Sequence, residues 1–121
     1  MPTIVMTDND FGDSSFERNM VEAAGITFVS AADETSLPMT ELRKPEQLIK
    51  TLAKADGAIA SYGRYTAEVF EALPHLKVVS KTGTGVDNID VAAATRNNTA
   101  VCNVPGYGTE VVSDHAIALA L

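Results

Sequence analysis

Five short apolar runs alternate with helix-compatible segments along the 121 residues, and this alternation constrains the fold more than any other feature. Short apolar runs between polar turns are typical of strands buried on both faces of a sheet. Strands that alternate with helices form a parallel sheet, because each helix carries the chain back to the same starting edge. We therefore predict an α/β protein with a flavodoxin-like, doubly wound, five-stranded parallel sheet in a three-layer α/β/α arrangement. The predicted strands are Thr3–Thr7, Ile26–Ser30, Gly57–Ser61, Leu76–Lys81 and Thr99–Asn103.

Signals for helix starts and ends lie between these runs. Ser14 and Glu17 have the spacing of a capping box, and Gly25 suits the left-handed position that follows a helix. An apolar helix face is predicted between these signals, and residues 31–44 are polar and predict an irregular loop. The apolar face comprises Phe16, Met20, Val21 and Ala24. The remaining start signals are Pro45, Thr66, Asp90 and Thr109, and Asn97-Asn98 predicts a turn.

Composition excludes several classes of partner. Nine Lys and Arg residues against 16 Asp and Glu give a net charge of −7, which argues against nucleic acid and anionic membranes as partners. No apolar stretch reaches the roughly 20 residues that span a bilayer, and the first residues lack the basic and apolar regions of a secretory signal. Cys102 is the single cysteine and is expected in the core, so neither a disulfide nor a cysteine-built metal site is predicted. We expect a cytoplasmic protein without a metal site.

Ligands of open parallel sheets bind beyond the carboxyl ends of the strands. This rule selects three loops here, at residues 8–13, 61–65 and 82–88. The third follows Lys81 and contains Gly83 and Gly85, whose flexible backbone lets N–H groups approach a carboxylate or phosphate. It is not a dinucleotide fingerprint, because Asn88 replaces the third glycine and the loop follows the fourth strand. Alone, the pattern is more typical of a simple turn than of a binding loop.

Acidic residues cluster in the first of these loops, at Asp8, Asp10 and Asp13. An EF-hand requires Gly at its sixth position and Glu at its twelfth, where this chain has Asp13 and Asn19. A receiver domain of two-component signalling requires an Asp after the third strand and a Lys after the fifth, and both are absent. We therefore interpret this loop as a solvated turn. His115, in the last predicted helix, is interpreted as structural or interfacial.

Two linked signatures make residues 76–121 resemble the D-isomer-specific 2-hydroxyacid dehydrogenases, including phosphoglycerate dehydrogenases and the C-terminal-binding-protein group. The first signature is Gly-Thr-Gly-Val-Asp-Asn-Ile-Asp at residues 83–90. The second is Asn-Val-Pro-Gly-Tyr at residues 103–107, followed by Thr109-Glu110 and Asp114-His115. The first 75 residues fit more loosely, through the order of strands and helices and the opening Thr-Asp-Asn-Asp-Phe-Gly-Asp.

The resemblance implies hydride transfer between a D-2-hydroxyacid or 2-keto acid and NAD or NADP. It implies a substrate-binding domain at residues 1–108, and a helix at residues 109–121 that crosses to a Rossmann domain outside this chain. The family's catalytic Arg, Glu and His lie in that domain, so no catalytic residue is assigned within this chain, and His115 does not match the catalytic His. Carried over by position, the substrate contacts are Tyr62, Gly63, Lys81, Thr82 and Gly83, and the cofactor contacts are Thr84 and Thr109.

Residues 116–121 stay in helical register without a terminating signal, so we expect this chain to be a fragment that is inactive alone. The resemblance implies a homodimer for the longer enzyme. Two alternatives stay open from the sequence. One is a corepressor-like module that binds a peptide or small molecule on the same fold without dehydrogenase activity. The other is an independent flavodoxin-like binder of small molecules.

Overall fold

The computed structural model describes all residues 1–121 and contains a single five-stranded sheet with seven helices. The strands are β1 (Thr3–Met6), β2 (Thr27–Ser30), β3 (Gly57–Ala60), β4 (Val78–Lys81) and β5 (Ala100–Cys102). The helices are α1 (Ser15–Ala23), α2 (Ala31–Glu34), α3 (Met39–Leu42), α4 (Pro45–Thr51), α5 (Ala67–Ala72), α6 (Val91–Arg96) and α7 (Thr109–Ala120). All five predicted strands are confirmed to within two residues at each end. Helices α2 and α3 lie where a loop was predicted.

Every pair of neighbouring strands is parallel, and the strand order is β2-β1-β3-β4-β5. This is the doubly wound, flavodoxin-like order. Strand β2 is added on one side of β1 and strands β3 to β5 on the other, so the switch point lies between β1 and β3. The prediction of a parallel α/β sheet of this type is confirmed. Because β1, β3 and β4 are adjacent, the three loops selected from the sequence leave neighbouring points of the same edge.

One face of the sheet carries the main core. Val5 lies between Val29 and Ala58 in the strand register, and this row continues through Val79 to Val101. Helices α4, α5 and α6 cover the row with side chains that are almost entirely buried. Burial of one such aliphatic or aromatic side chain stabilises the fold by about 1.5–3 kcal/mol. The covering side chains include Leu48, Leu52, Val69, Phe70, Ala93 and Ala94.

The opposite face is covered by α1, which packs against the edge strand β2. The guanidinium of Arg18 lies 4.9 Å from the ring centroid of buried Phe28. The predicted inward orientation of Phe16, Met20 and Ala24 is wrong, because these side chains are exposed. The physical reason is that α1 contacts an edge strand and has little sheet beneath it. Cys102 was also expected in the core, but it lies exposed on edge strand β5.

The local signals of the sequence succeed unevenly. Pro45 begins α4, the carboxylate of Asp90 accepts a hydrogen bond from the Ala93 N–H at 2.9 Å, and Gly25 has φ +75° after α1. The capping box is wrong, because neither Ser14 nor Glu17 makes a capping hydrogen bond. The neighbouring carboxylate of Asp13 instead accepts a hydrogen bond from the Ser15 N–H at 2.9 Å.

Helix α7 begins at Thr109 itself, and Gly108 takes the cap position that was predicted for the threonine. All of its residues are exposed, including His115. None of the helices combines the length and the apolar character needed to cross a bilayer.

Candidate functional site

The loops after β1, β3 and β4 meet at the carboxyl edge of the sheet and are joined by side-chain hydrogen bonds. Asp8 contacts the loop after β3, and the hydroxyls of Ser61 and Thr82 lie 2.9 Å apart. Asn88 donates from its side-chain amide to the Gly63 carbonyl at 2.7 Å. The three loops therefore form one connected surface, as their adjacency in the sheet predicts.

Asp8 anchors this surface from below. Its carboxylate is fully buried and accepts hydrogen bonds from the Ser61 N–H at 3.1 Å and the Tyr62 N–H at 2.7 Å. It also accepts from Arg43 Nε at 2.9 Å and from the Thr7 hydroxyl at 3.1 Å. Four donors satisfy the buried charge, which meets the general requirement that a buried carboxylate is paired and hydrogen-bonded. The sequence-based interpretation of Asp8 as part of a solvated turn is wrong.

A buried tyrosine extends the same network. The hydroxyl of Tyr65 lies 2.9 Å from that of Thr7, which already donates its own proton to Asp8, so the tyrosine is the donor. Burial raises the pKa of the Tyr65 phenol, against a lowering by the hydrogen bond with Thr7. The phenol therefore keeps its proton throughout the neutral range and holds Thr7 in a fixed orientation.

Two cations flank the ring of Tyr62. The guanidinium of Arg43 lies 5.1 Å from the ring centroid and also pairs with the carboxylates of Asp8 and Asp10. The ammonium of Lys81 lies 4.5 Å from the same centroid and donates to the Ser61 carbonyl. Placed over an aromatic face, each cation is attracted by the ring quadrupole. Tyr62 therefore contacts one cation that is neutralised by carboxylates and a second, Lys81, that has no acidic partner.

The glycine loop after β4 presents unpaired backbone donors. None of the N–H groups of residues 83–88 donates a hydrogen bond to another group of the protein. The loop is nevertheless held at both ends, since the Thr82 N–H donates to the Ala60 carbonyl and the Asn88 carbonyl accepts a hydrogen bond from the Tyr65 N–H. Successive free N–H groups next to a lysine form a site suited to a carboxylate or phosphate oxygen.

The two glycine-containing signatures of the sequence lie against each other. The Val104 N–H donates to the Gly83 carbonyl at 3.0 Å, and the Thr84 hydroxyl donates to the Val104 carbonyl at 2.9 Å. The side-chain amide of Asn103 donates to the Thr84 carbonyl at 2.8 Å. These contacts bring Tyr107, which belongs to the second signature, to the edge of the same surface.

Two adjoining clefts open on this surface. The first has a volume of about 230 Å³ and is lined by Asp10, Phe11, Ser61, Tyr62, Lys81, Thr82, Gly83 and Tyr107. The second has a volume of about 310 Å³ and is lined by Tyr62, Lys81, Gly83, Thr84, Gly85, Asp87, Asn88 and Tyr107. The residues common to both clefts include Lys81 and Gly83, so the lysine and the glycine loop form the boundary between them.

The structure brings together five of the seven residues that were selected from the sequence. Tyr62, Lys81, Thr82 and Gly83 line the first cleft, and Thr84 lines the second. Gly63 lines neither cleft, because it is buried below the surface, where its carbonyl accepts the hydrogen bond from Asn88. Thr109 also lines neither cleft and is exposed at the start of α7.

Nine residues of this surface were not selected as contacts by the sequence reasoning. Asp8 and Arg43 form its buried support, and Phe11 and Tyr107 lie at the rim of the first cleft. The other residues that line the clefts are Asp10, Ser61, Gly85, Asp87 and Asn88. Signals were available for Asp8 and Phe11, which follow the first strand directly, and for Tyr107, which ends the signature at residues 103–107. Arg43 comes from the end of α3, which no signal predicted.

The sequence profile of the D-isomer specific 2-hydroxyacid dehydrogenase catalytic domain matches residues 16–118. Among curated relatives, D-3-phosphoglycerate dehydrogenase of Archaeoglobus fulgidus is 42% identical over 77 residues, which cover 63% of this chain and 15% of that protein. Glyoxylate reductase of Korarchaeum cryptofilum is 51% identical over 53 residues, which cover 44% of this chain and 16% of that protein.

Among solved structures, NAD-dependent formate dehydrogenase from Staphylococcus aureus, in complex with NAD, superimposes with a TM-score of 0.73 at 25% identity. The match covers 100% of this chain and 38% of that chain. The present chain therefore spans well under half the length of the proteins that it matches. Since the family profile covers most of the chain and the structure has the same fold, the chain belongs to the D-isomer specific 2-hydroxyacid dehydrogenase family and corresponds to part of its catalytic domain.

Proposed function

We propose that this chain forms the substrate-binding wall of an NAD-dependent D-2-hydroxyacid dehydrogenase. The observation that carries the proposal is the row of unpaired N–H groups at residues 83–88 beside the ammonium of Lys81. A 2-hydroxyacid and a 2-keto acid share a carboxylate, which accepts hydrogen bonds from such donors. In this proposal the N–H groups of the glycine loop and Lys81 bind that carboxylate, and Thr82 and Tyr62 contact the rest of the molecule.

A bound NADH or NADPH would supply the hydride for carbon 2 of the keto acid, becoming NAD or NADP, and the keto oxygen would take up a proton. Two residues of this chain fit a role beside the nicotinamide. The Thr84 hydroxyl donates to the Val104 carbonyl, but the Thr84 N–H is unpaired and the residue lines the second cleft. Thr109 lies at the exposed first turn of α7. No G-x-G-x-x-G sequence occurs in residues 1–121, so we propose that a second domain holds most of the cofactor.

The proposal extends to the assembly and location of the enzyme. We propose a homodimer in the cytoplasm, with the proton-transfer groups supplied by the second domain. The 121-residue chain alone is then expected to bind the acid weakly and to show no NADH oxidation. Purified chain that oxidises NADH in the presence of any 2-keto acid contradicts this assignment of the catalytic groups.

Binding of the acid is tested by titrating the ¹⁵N-labelled chain with pyruvate and recording amide chemical shifts. We expect the largest changes at residues 83–88. The variant Lys81→Met should weaken binding about tenfold or more, since hydrogen bonds to charged groups contribute about 1.5–3 kcal/mol. Lys77→Met is the matched control, because Lys77 precedes the same strand but is highly exposed and pairs with Asp56.

Two results overturn the proposed carboxylate site. One is a set of shift changes that maps away from the glycine loop. The other is an equal loss of affinity in the Lys81 and Lys77 variants, since this indicates a general effect of charge and no local contact. Activity is tested separately with the product of the complete gene, by following NADH oxidation with a series of 2-keto acids.

A further inference from the structure

The rim of the first cleft is aromatic. Phe11, Tyr62 and Tyr107 are 78%, 61% and 69% exposed, although large aromatic side chains usually bury most of their surface. They come from three different loops, yet all of them line this one cleft of about 230 Å³. Exposed apolar surface that is gathered around a concave site is a common feature of ligand pockets. The side chain of an acid bound in this cleft therefore contacts these aromatic rings.

The charged groups at the same cleft are few. Lys81 is its one cation, and in the proposed function this lysine is used by the carboxylate of the acid. Asp10 is its one anion. Arg43 lies behind Tyr62 and is already paired with the carboxylates of Asp8 and Asp10. Arg64 lines a separate depression between the loop after β3 and residues 87–90. Within residues 1–121, no cation other than Lys81 lines this cleft.

We infer that the substrate is a 2-keto acid with a single carboxylate and an apolar, preferably aromatic, side chain, and that acids with a second anionic group are disfavoured. The inference rests on the proposed function and specifies its substrate class. On this wall of the site, a phosphate or a second carboxylate at the rim meets the Asp10 carboxylate and three rings, and this chain offers it no free cation. Juxtaposed like charges that lose water are strongly unfavourable, whereas an aryl group finds matching surface.

The test is a set of steady-state measurements on the product of the complete gene with NADH and four acids. The acids are phenylpyruvate, 4-methyl-2-oxopentanoate, 2-oxoglutarate and 3-phosphohydroxypyruvate. We expect kcat/KM for phenylpyruvate to exceed that for 2-oxoglutarate, and that for 3-phosphohydroxypyruvate, by about 100-fold or more. A higher kcat/KM for 3-phosphohydroxypyruvate or 2-oxoglutarate overturns the inference but leaves the proposed dehydrogenase function intact. An enzyme that reduces none of the acids overturns both.

Two phenylalanines provide a matched pair of variants. Phe11→Ser should lower kcat/KM for phenylpyruvate about three- to tenfold, which corresponds to the loss of one aromatic contact, and should lower kcat/KM for the smaller acid glyoxylate by a smaller factor. Phe16→Ser is the control, because Phe16 is 70% exposed on α1 and lines neither cleft. Equal effects of the two variants overturn the role of the rim.

A third variant tests the charge argument by gain of function. Phe11→Arg places a cation at the rim and should raise kcat/KM for 3-phosphohydroxypyruvate relative to phenylpyruvate by about tenfold or more. An unchanged ratio of the two values overturns the claim that the missing cation excludes phosphorylated acids. Both Phe11 variants alter an exposed side chain, so folding is checked by circular dichroism and is expected to be preserved.

Discussion

Replacement of Asp8 by alanine is expected to destabilise the chain more than loss of any other charged side chain near the clefts. The carboxylate is fully buried and accepts four hydrogen bonds, at 2.9 Å from Arg43, 2.7 Å from the Tyr62 N–H, and 3.1 Å each from the Ser61 N–H and Thr7. Hydrogen bonds to a charged acceptor contribute about 1.5–3 kcal/mol each, but their sum is offset by the desolvation of the carboxylate.

Measured losses of one partner of a buried ion pair are about 3–5 kcal/mol. The Arg43 side chain keeps 24% of its surface exposed and can reach water, so we expect Asp8→Ala to cost about 3 kcal/mol. Asp10→Ala is the matched control, because Asp10 pairs with the same arginine but is 40% exposed. It should cost about 0–1 kcal/mol.

Urea unfolding of the two variants, followed by circular dichroism at pH 7, measures the difference in the free energy of unfolding. The reasoning is refuted if Asp8→Ala costs less than about 1 kcal/mol, or no more than Asp10→Ala. The double variant with Arg43→Ala should be less destabilised than the sum of the single variants, since it leaves no unpaired guanidinium.

Three further outcomes are expected from single changes. Asp90→Ala should lower the free energy of unfolding in urea by about 1 kcal/mol, because it removes the hydrogen bond from the Ala93 N–H. Thr66→Ala, at the equivalent position of α5, is the control and should change the free energy of unfolding little, because the Thr66 hydroxyl makes no hydrogen bond. Gly25→Ala should cost about 1 kcal/mol through its φ of +75° alone, since a methyl group there meets no atom within 4 Å; a loss above 3 kcal/mol argues against this cause. The pKa of Asp56 is lowered, first by a hydrogen bond from the backbone of β1, so its contribution to stability is present above its unfolded pKa and is lost as the pH falls through the lower folded pKa. Asp56→Asn should therefore flatten the fall of the urea midpoint below about pH 4 and leave its profile between pH 5 and 8 unchanged.

The sequence was sufficient to predict the sheet and the position of the clefts. Five apolar runs of strand length determined a parallel order, and adjacency in that order brought residues 8–13, 61–65 and 82–88 to one edge. The position of the glycine loop at this edge was also predictable, because it depends on its place directly after a strand. Lys81 reached the site for the same reason, since the last residue of a parallel strand lies at this edge.

The support of the site was not predictable in the same way. Asp8 was interpreted as a solvated turn because its burial depends on Arg43, which lies 35 residues away at the end of a four-residue helix. The capping box at Ser14 also failed: neither Ser14 nor Glu17 makes a capping hydrogen bond, and Asp13 accepts from the Ser15 N–H at the start of the helix. For Asp8, a tertiary contact decides burial, which a short polar motif cannot reveal.

The unpaired amides of residues 83–88 have a consequence for mutagenesis. A binding surface made of main chain is nearly invisible to alanine scanning, because truncating a side chain leaves the peptide group where it was. Its contribution would emerge from chemical changes to the backbone, such as replacing one amide by an ester, which removes a single donor. If these amides bind the acid as proposed, replacing side chains in this loop leaves the donors in place.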